Sequence, residues 1–419
     1  RRSEMSKDIL RSNRREFLQG VSGLTLVIST SGVLTACSTE EAAAPVTEGG
    51  TDLDPNIWVT IGTDDRITIE YPGTEMGQGT STALPLVLAD ELDADWDKVD
   101  VHTVTIHDEA YGNPFFQNML YTAGSLTVQA YFDRVRIAGA QARRILVESA
   151  AEFWGVSVDE LETEPSVVVH VPSDRRLTYG EIASFTETPE TLPEIGDDEL
   201  KAYGTHRYLG SDIPRRDVPS KTNGTAKFGI DVQVTDMVYA SVLRSPVEGE
   251  QPLEINDAAA LNVAGVTDIV RLPWGVGVVA ETYEASLWGK QALEVTWTDS
   301  SPFRSANLGA DLEDAVAQAE DLSLSGNAWR EVGDIVDPFT NAAEVYEQTY
   351  RTDPAYHAQM EPMNATAKVS SDGKSAEIWA PTQAISVSTF AAAGVLKTSP
   401  GNIKVNTTFL GGGFGRRAQ

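Results

Sequence analysis

The sequence predicts a multi-domain α+β fold, and three observations support that prediction. The chain has 419 residues, enough for about two to four domains of ordinary size. Its apolar fraction of 41% is usual for a globular protein, so the composition indicates neither disorder nor a fibrous repeat. Alternating segments typical of strands are interspersed with helical segments without the regular period of βαβ units, which favours α+β over one parallel sheet.

The first domain, predicted over residues 56–200, opens with a hairpin. Two alternating segments, 57–61 and 66–71, flank a turn cluster at 62–65. The elements predicted next are a helix at 81–92, a strand at 99–104, a proline-free helix at 125–154 capped by Gly155, a strand at 166–170 and a helix at 178–184. An acidic stretch with two prolines, 187–200, is typical of a linker.

Three segments follow this linker: a second domain at 201–300, a bridging segment at 301–341 and a third domain at 342–419. The strands predicted in them lie at 226–232, 237–243, near Val266 and Val276, and at 293–297, 345–350, 365–369, 376–379 and 403–409. The predicted helices lie at 283–292, 308–319 and 383–396.

The charge and the cysteine content exclude several classes of function. A formal net charge of −30 repels nucleic acid and anionic membranes, so no nucleic-acid partner is expected, and a solvated acidic surface is the simplest interpretation. The single cysteine, Cys37, allows no internal disulfide and no iron–sulfur cluster, which normally needs four cysteine ligands. Any redox centre beyond a first one must therefore lie on another chain.

Residues 1–36 are typical of a twin-arginine export signal. Arg14 and Arg15 precede a mildly apolar stretch that is short for a membrane span and ends in Leu-Thr-Ala before Cys37, which resembles a lipobox. Lipid attachment is therefore predicted at Cys37, with a flexible tether at 37–55. A chance arginine pair beside a buried helix is the alternative, which the order of the three features disfavours. We expect a periplasmic lipoprotein that contacts the membrane only through its lipid anchor.

Two glycine-containing segments are candidates for ligand binding. The loop after the last predicted strand lacks Cβ atoms on one side, so its backbone N–H groups can approach an anionic or sulfur-rich ligand. Its candidate residues are Gly411, Gly412, Gly413, Phe414, Gly415 and Arg416. The loop before the 81–92 helix combines open backbone with hydroxyls at a helix start, which suits a phosphate. Its candidate residues are Met76, Gly77, Gln78, Gly79 and Thr82. Taken alone, a glycine-rich loop is more often a structural turn, and the loop before the helix is equally compatible with a capped helix.

Together the two segments resemble cofactor-binding segments of the xanthine dehydrogenase and aldehyde oxidase (molybdenum hydroxylase) family large subunit. Tyr121-Thr122-Ala123-Gly124-Ser125 looks like a third such segment, and residues 225–231 and 239–246 are similar to the hammerhead domain of that family. The segments 357–362 and 381–383 fit the stretch before the glycine loop. The order is permuted, because the Glu-Met-Gly-Gln-Gly segment comes first, which resembles the isoquinoline 1-oxidoreductase beta-subunit branch. The chain is expected to be an amino-terminal fragment of a longer gene product.

This resemblance implies a multi-domain molybdopterin-binding large-subunit fold with an α/β hammerhead domain. The glycine loop would contact the pterin of a molybdopterin cytosine dinucleotide, and Gln78, Gly79 and Thr82 would hold its phosphates, with Gly124 and Ser125 nearby. The metal would be held by the pterin, so no protein ligand is predicted. The reaction implied is hydroxylation of an N-heterocycle or aldehyde with oxygen from water. A small subunit with two [2Fe–2S] clusters and a cytochrome c acceptor are the implied partners.

No catalytic base is assigned, because the glutamate that serves the family lies near its carboxyl terminus. Glu361 is the tempting local substitute, but Glu361-Pro362 fits a packing role better. The five histidines show no metal-ligand spacing. The alternatives to an enzyme subunit are a non-catalytic exported lipoprotein that uses the same fold for binding, and one half of a split enzyme. Reading the genomic DNA past Gln419 would discriminate among them.

Overall fold

The computed structural model describes residues 53–105, 109–304, 307–320, 332–333, 336–346, 348–353 and 355–418. These residues form two compact units. The first combines the described residues up to Val232 with those from His357 onward, and the second is Gln233–Tyr356. Residues 201–232 lie within the first unit. The export signal and most of the tether lie outside the described residues.

The first unit begins with a four-stranded sheet. Its strands, in sheet order, are β1 (Leu53–Asn56), β2 (Val59–Ile61), β3 (Ile67–Tyr71) and β4 (Val99–Thr103). The predicted hairpin is confirmed, since β2 and β3 pair antiparallel with Ile61 opposite Ile67. Strand β4 returns parallel to β3. Alternation buries Ile67, Ile69 and Tyr71 on one face of the sheet, where they form part of the main core.

Two helices cover this sheet: α1 (Thr80–Leu92) and α2 (Thr127–Trp154). Gly139 allows the helices to approach closely, because a Cβ at this position would lie only 2.5 Å from the carbonyl oxygen of Leu88. Helix α2 ends at Gly155, which adopts the left-handed conformation predicted for it. The described residues include no helix that is both long enough and apolar enough to cross a membrane.

A small antiparallel sheet and two short helices complete the amino-terminal part of the first unit. They are β5 (Leu161–Glu164), β6 (Val167–His170), β7 (Arg175–Thr178), α3 (Tyr179–Ala183) and α4 (Val218–Asn223). Helix α3 begins at a capping box, in which Thr178 and Glu181 exchange side-chain and backbone hydrogen bonds. The linker and the segment up to 217 contain no regular element.

The second unit contains a three-stranded sheet and a two-stranded sheet. Its elements are β8 (Tyr239–Arg244), β9 (Pro252–Asn256), α5 (Ala258–Leu261), β10 (Val266–Leu272), β11 (Gly275–Ala280), α6 (Tyr283–Gln291), β12 (Glu294–Trp297), α7 (Leu308–Glu320) and α8 (Val336–Thr340). The sheets have the order β10-β11-β8 and β12-β9, and all their pairs are antiparallel. Val276 and Val278 of the central strand form the core with Ala260 and Leu293.

The chain then returns to the first unit and forms its second sheet. The elements are β13 (Thr366–Val369), β14 (Ala376–Ala380), α9 (Ile385–Leu396) and β15 (Ile403–Thr407), with sheet order β13-β14-β15. Strands β14 and β15 are parallel, so α9 serves as the crossover between them. Because β15 ends at Thr407, the following glycine loop emerges at the carboxyl edge of this parallel pair.

Two predicted strands are wrong. In place of a strand at 226–232, a 3-10 turn spans Gly229–Asp231, and the Asp231 carboxylate accepts the N–H of Phe228 at 3.0 Å. A local side-chain acceptor thus replaces a ladder partner. The described residues of 345–350 are exposed and contain no strand. Apolar and polar residues alternate in this segment, but neither of its faces is buried, so the pattern does not lead to a strand. The structure is α+β throughout, as predicted.

Candidate cofactor-binding site

Three loops of the first unit converge on one site, and each carries a segment predicted to bind cofactor. Leu410 donates its backbone N–H to the carbonyl oxygen of Glu75 at 3.0 Å. The N–H of Thr74 reaches the Thr122 hydroxyl at 3.1 Å. The Tyr121 hydroxyl donates to the carbonyl oxygen of Ala418 at 3.0 Å. The structure thus brings together the 73–79 loop, the 121–125 segment and the glycine loop.

Gln383 links two of these loops through its buried side chain, which is 3% exposed. Its amide nitrogen donates to the Thr122 carbonyl at 2.9 Å, and its amide oxygen accepts the Gly415 N–H at 3.0 Å. Its backbone N–H donates to the Arg417 carbonyl at 2.9 Å. Both ends of the amide are therefore satisfied, and Gln383 holds the glycine loop against the 121–125 segment. The sequence pattern included Gln383 in the segment 381–383, which resembles the family, but indicated no role for it.

The glycine loop presents consecutive unpaired backbone donors. Within the described chain, the N–H groups of Gly412, Gly413 and Phe414 donate to no acceptor. Gly412 and Phe414 both have positive φ, at 100° and 53°, and Gly413 between them does not. Alternating conformations of this kind point successive N–H groups into one concavity, which is a recognised anion-binding arrangement. The donor set therefore fits the anionic, sulfur-rich ligand predicted for this loop.

The glycine loop and the 73–79 loop are in direct contact. A Cβ at Gly413 would lie 2.4 Å from the Met76 sulfur and 2.8 Å from the Gln383 amide oxygen. On the outer side, a Cβ at Gly77 or Gly415 would meet no atom within 4 Å, so the backbone there borders open space. Glycine is thus needed at position 413 for close packing of the two loops. Gly77 and Gly415, on the outer side, leave room for a ligand.

Helix α1 already has an anion at its N-terminus, the carboxylate of Glu75. This side chain is 5% exposed. It accepts the N–H groups of Gly77 at 2.8 Å, Gly79 at 3.0 Å and Ser81 at 3.1 Å, and the Ser81 hydroxyl at 2.6 Å. The helix dipole stabilises a negative charge at this position. The donors of Gly77, Gly79 and Ser81, in the segment that the sequence suggested for a phosphate, are therefore used inside the protein.

The remaining predicted residues divide into an exposed rim and a buried support. The exposed ones are Gly77, Gln78, Gly124, Ser125, Phe414, Gly415 and Arg416. Gln78 also stabilises its own loop, since its amide nitrogen donates to the Thr74 carbonyl at 2.8 Å. Thr82 is buried, and its hydroxyl accepts the Arg216 N–H at 3.1 Å. The rim residues are thus the predicted residues whose exposure leaves them open to a ligand.

Sequence reasoning missed a charged brace behind the 73–79 loop. Arg215 donates to the Gly77 carbonyl at 2.9 Å and lies 3.4 Å from a Glu75 carboxylate oxygen. The Arg215 Nε also donates to Asp217 at 2.9 Å, and Lys221 lies 2.6 Å from the same carboxylate. The spacing of Asp217 and Lys221 across the start of α4 was the available signal. These residues hold the loop from the side opposite the rim.

The brace predicts a pH dependence of stability. Burial by itself would raise the pKa of Asp217, but hydrogen bonds and charge from Arg215 and Lys221 lower it to about 2. A lowered pKa in the folded state adds stability above the unfolded value of about 3.9 that is lost as the pH falls toward 2. Because Arg215 is 37% exposed, we expect a contribution of only about 1–2 kcal/mol.

Asp217→Asn is expected to remove this contribution, so its free energy of unfolding should fall less than that of the wild type between pH 5 and pH 2. Denaturant unfolding at several pH values measures the difference. Asp133→Asn, at an exposed position of α2, is the matched control and should follow the wild-type pH profile. Equal pH slopes for wild type and Asp217→Asn would show that the brace does not depend on charge.

Within the described residues, no group of three or more histidine, cysteine, aspartate or glutamate side chains is arranged to hold a metal ion. Glu361 is buried, and both of its carboxylate oxygens accept hydrogen bonds from the protein. The packing interpretation of Glu361 is therefore the one that its contacts support.

Comparison with known proteins gives two matching family models, both described as molybdopterin cofactor-binding domains, over residues 4–237 and 319–419. The chain is 35% identical over 452 residues to the isoquinoline 1-oxidoreductase subunit beta of Brevundimonas diminuta, with 98% of this chain and 57% of that protein covered. It is 31% identical over 379 residues to a membrane-bound aldehyde dehydrogenase (pyrroloquinoline-quinone) of Gluconacetobacter polyoxogenes, with 87% and 47% covered. The solved quinoline 2-oxidoreductase from Pseudomonas putida 86 aligns with a TM-score of 0.39 and 18% identity, over 50% of this chain and 31% of that one.

The chain spans about half the length of the curated relatives that it matches. One family model covers more than half of the chain, residues 4–237. The chain therefore belongs to the molybdopterin-binding subunits of the xanthine dehydrogenase and aldehyde oxidase family.

Proposed function

We propose that this chain is the cofactor-binding subunit of an exported molybdenum hydroxylase that acts on an N-heterocycle or an aldehyde. The proposed cofactor is molybdopterin cytosine dinucleotide. The observation that carries the proposal is the convergence of three loops, distant in sequence, on one site where the N–H groups of Gly412, Gly413 and Phe414 are not used by the described chain. The names of the relatives, an isoquinoline oxidoreductase and an aldehyde dehydrogenase, support the substrate class.

When bound, the cofactor supplies hydroxylation of an electron-poor carbon with oxygen derived from water. The role of this chain is to bind and orient it. The N–H groups of Gly412, Gly413 and Phe414 would hold its anionic or sulfur atoms, and Arg416 adds positive charge beside them. The rim residues Gln78 and Ser125 would contact its polar groups. Gln383 and Glu75 are buried, and they hold the loops in place.

Electrons would leave the site through a partner protein. The one cysteine of this chain cannot provide the ligands of an iron–sulfur cluster, so an iron–sulfur relay would lie outside these residues. We propose a small subunit with [2Fe–2S] clusters, followed by a cytochrome c. The description of one relative as a subunit beta is consistent with such an assembly.

Metal and nucleotide analysis tests the cofactor proposal directly. The gene product is expressed natively in full length, together with any small subunit encoded beside it. We expect about one molybdenum and one released CMP per chain, since the cofactor is stoichiometric. A quinone assay on the same sample covers the other cofactor named among the relatives. A folded protein with neither molybdenum nor nucleotide would contradict the proposal and favour a non-catalytic binding lipoprotein.

The proposed location is the periplasm, with a lipid anchor at Cys37. Cys37→Ser is expected to move the protein from the membrane fraction to the soluble periplasmic fraction, because it removes the acceptor of the lipid. Replacing Arg14 and Arg15 by lysine is expected to retain the protein in the cytoplasm, since the export route reads the arginine pair. Cell fractionation with immunodetection measures both. A membrane fraction unchanged by Cys37→Ser would rule out this anchor.

A further inference from the structure

A buried ion pair, Glu361 and Arg417, lies directly beneath the glycine loop. The Arg417 side chain is 1% exposed and the Glu361 side chain 4%, with 3.1 Å between guanidinium and carboxylate. Glu361 accepts the Gly411 N–H at 2.9 Å with one oxygen. The other oxygen accepts the N–H of Ile230 at 3.1 Å and the Asn364 amide at 3.0 Å. The carboxylate is therefore fully used inside the protein.

The guanidinium of Arg417 binds backbone carbonyls at the base of the loop. It donates to the carbonyl oxygens of Gly412 at 2.9 Å, Glu361 at 2.6 Å and Pro381 at 3.3 Å. The planar guanidinium is suited to this because its donors are fixed in one fork. The carbonyl of Gly412 is thereby held toward the interior. Since a peptide plane points its N–H and C=O in opposite directions, the following N–H, that of Gly413, is turned away from Arg417.

We infer that Glu361 and Arg417 are a positioning pair that sets the orientation of the glycine-loop peptides and keeps their amides available for the ligand. Arg417 holds the carbonyl side and Glu361 holds the first amide, so the loop is fixed from both ends. The inference deepens the proposed function, on which the identity of the ligand depends, but the loop geometry itself does not require that function. It also gives Glu361 a role other than that of a catalytic base.

The alternative is that the pair only adds stability to the fold. Buried ion pairs are weak evidence for stability, because desolvation costs can match the charge attraction, although removing one partner is strongly destabilising. A merely structural pair would lower overall stability on mutation without a selective change at the loop. The pair of Arg136 and Glu91, with 2.6 Å between its charged groups, offers a matched control within the same unit. The Glu91 carboxylate also accepts the Lys201 N–H at 3.1 Å and binds none of the three loops.

Hydrogen exchange tests the inference on the purified, cofactor-free protein. The amides to follow are those of Gly411, Gly415 and Arg416, which are hydrogen-bonded in the folded loop. Arg417→Lys and Glu361→Gln are expected to speed exchange at these amides by about tenfold or more. In these variants fewer charged hydrogen bonds must break before the loop opens locally. Glu91→Gln should leave their exchange as in the wild type, even where it lowers the melting temperature.

Cofactor content separates this inference from the proposed function. Molybdenum and CMP per chain are expected to fall at least fivefold in both loop variants and to remain at the wild-type level in Glu91→Gln. Unchanged loop exchange in Arg417→Lys and Glu361→Gln would overturn the inference. Faster loop exchange, combined with a wild type that holds no molybdenum, would leave the positioning role intact and reject the proposed function. If Glu361→Gln does not fold, the charge-conserving Arg417→Lys variant still tests the inference.

Discussion

Gly411→Ala is expected to displace the glycine loop and abolish cofactor retention. A Cβ at this position would lie 2.3 Å from the Cβ of Glu361 and 3.0 Å from its backbone nitrogen. Neither atom can move by a change of rotamer, so the two backbone segments must separate. Separation would weaken the hydrogen bond that the Glu361 N–H donates to the Gly411 carbonyl oxygen, with 3.1 Å between nitrogen and oxygen in the native protein. Overpacking and the lost hydrogen bonds together predict a decrease of about 3 kcal/mol in the free energy of unfolding.

Gly394→Ala is the matched control for this substitution. Gly394 lies in α9, and a Cβ there would meet no atom within 4 Å. Alanine favours helix over glycine, so this variant should be unchanged or more stable by up to about 1 kcal/mol. Denaturant unfolding and molybdenum content measure both variants. A Gly411→Ala protein with wild-type stability and cofactor content would show that the contact between residues 361 and 411 is not required.

Glu75→Gln is expected to loosen the 73–79 loop and reduce cofactor content by about tenfold or more, a loss equivalent to about 1.4 kcal/mol of binding. An amide has one acceptor oxygen, whereas the carboxylate uses both. Either the N–H groups of Gly77 and Gly79 or the N–H of Ser81 must lose an acceptor. The lost charge also removes one of the two carboxylate partners of Arg215 and the favourable interaction with the α1 dipole. Stability should decrease by about 1.5–3 kcal/mol, the usual range for hydrogen bonds to a charged group.

The control for Glu75→Gln is Glu164→Gln, which makes the same chemical change in an exposed ion pair with Arg176. Its melting temperature and cofactor content should match the wild type, because exposed ion pairs contribute little. Limited proteolysis across residues 73–79 reports on the loop independently of the cofactor. Wild-type proteolysis and cofactor content in Glu75→Gln would mean that the carboxylate is not needed at the α1 N-terminus.

The sequence by itself determined the local elements and the segments that meet at the site. The alternation of apolar residues predicted the β2–β3 hairpin, and the proline-free stretch ending at Gly155 predicted α2, because both signals depend only on near neighbours along the chain. The glycine patterns and the family resemblance identified the three loops. Where local alternation had no buried face or ladder partner, as at 226–232 and 345–350, the same reasoning predicted strands that do not form.

Only the tertiary structure decided how the loops are held. Gln383 bonds to Thr122 across 261 positions of sequence, and Arg215 reaches Glu75 across 140. No local propensity reports contacts over such separations, since they depend on which surfaces the packed elements bring together. The same holds for the polar atoms at the α1 N-terminus. Sequence pattern indicated donors for an external anion there, whereas the fold places the carboxylate of Glu75 on them, because burying those N–H groups requires an acceptor within the protein.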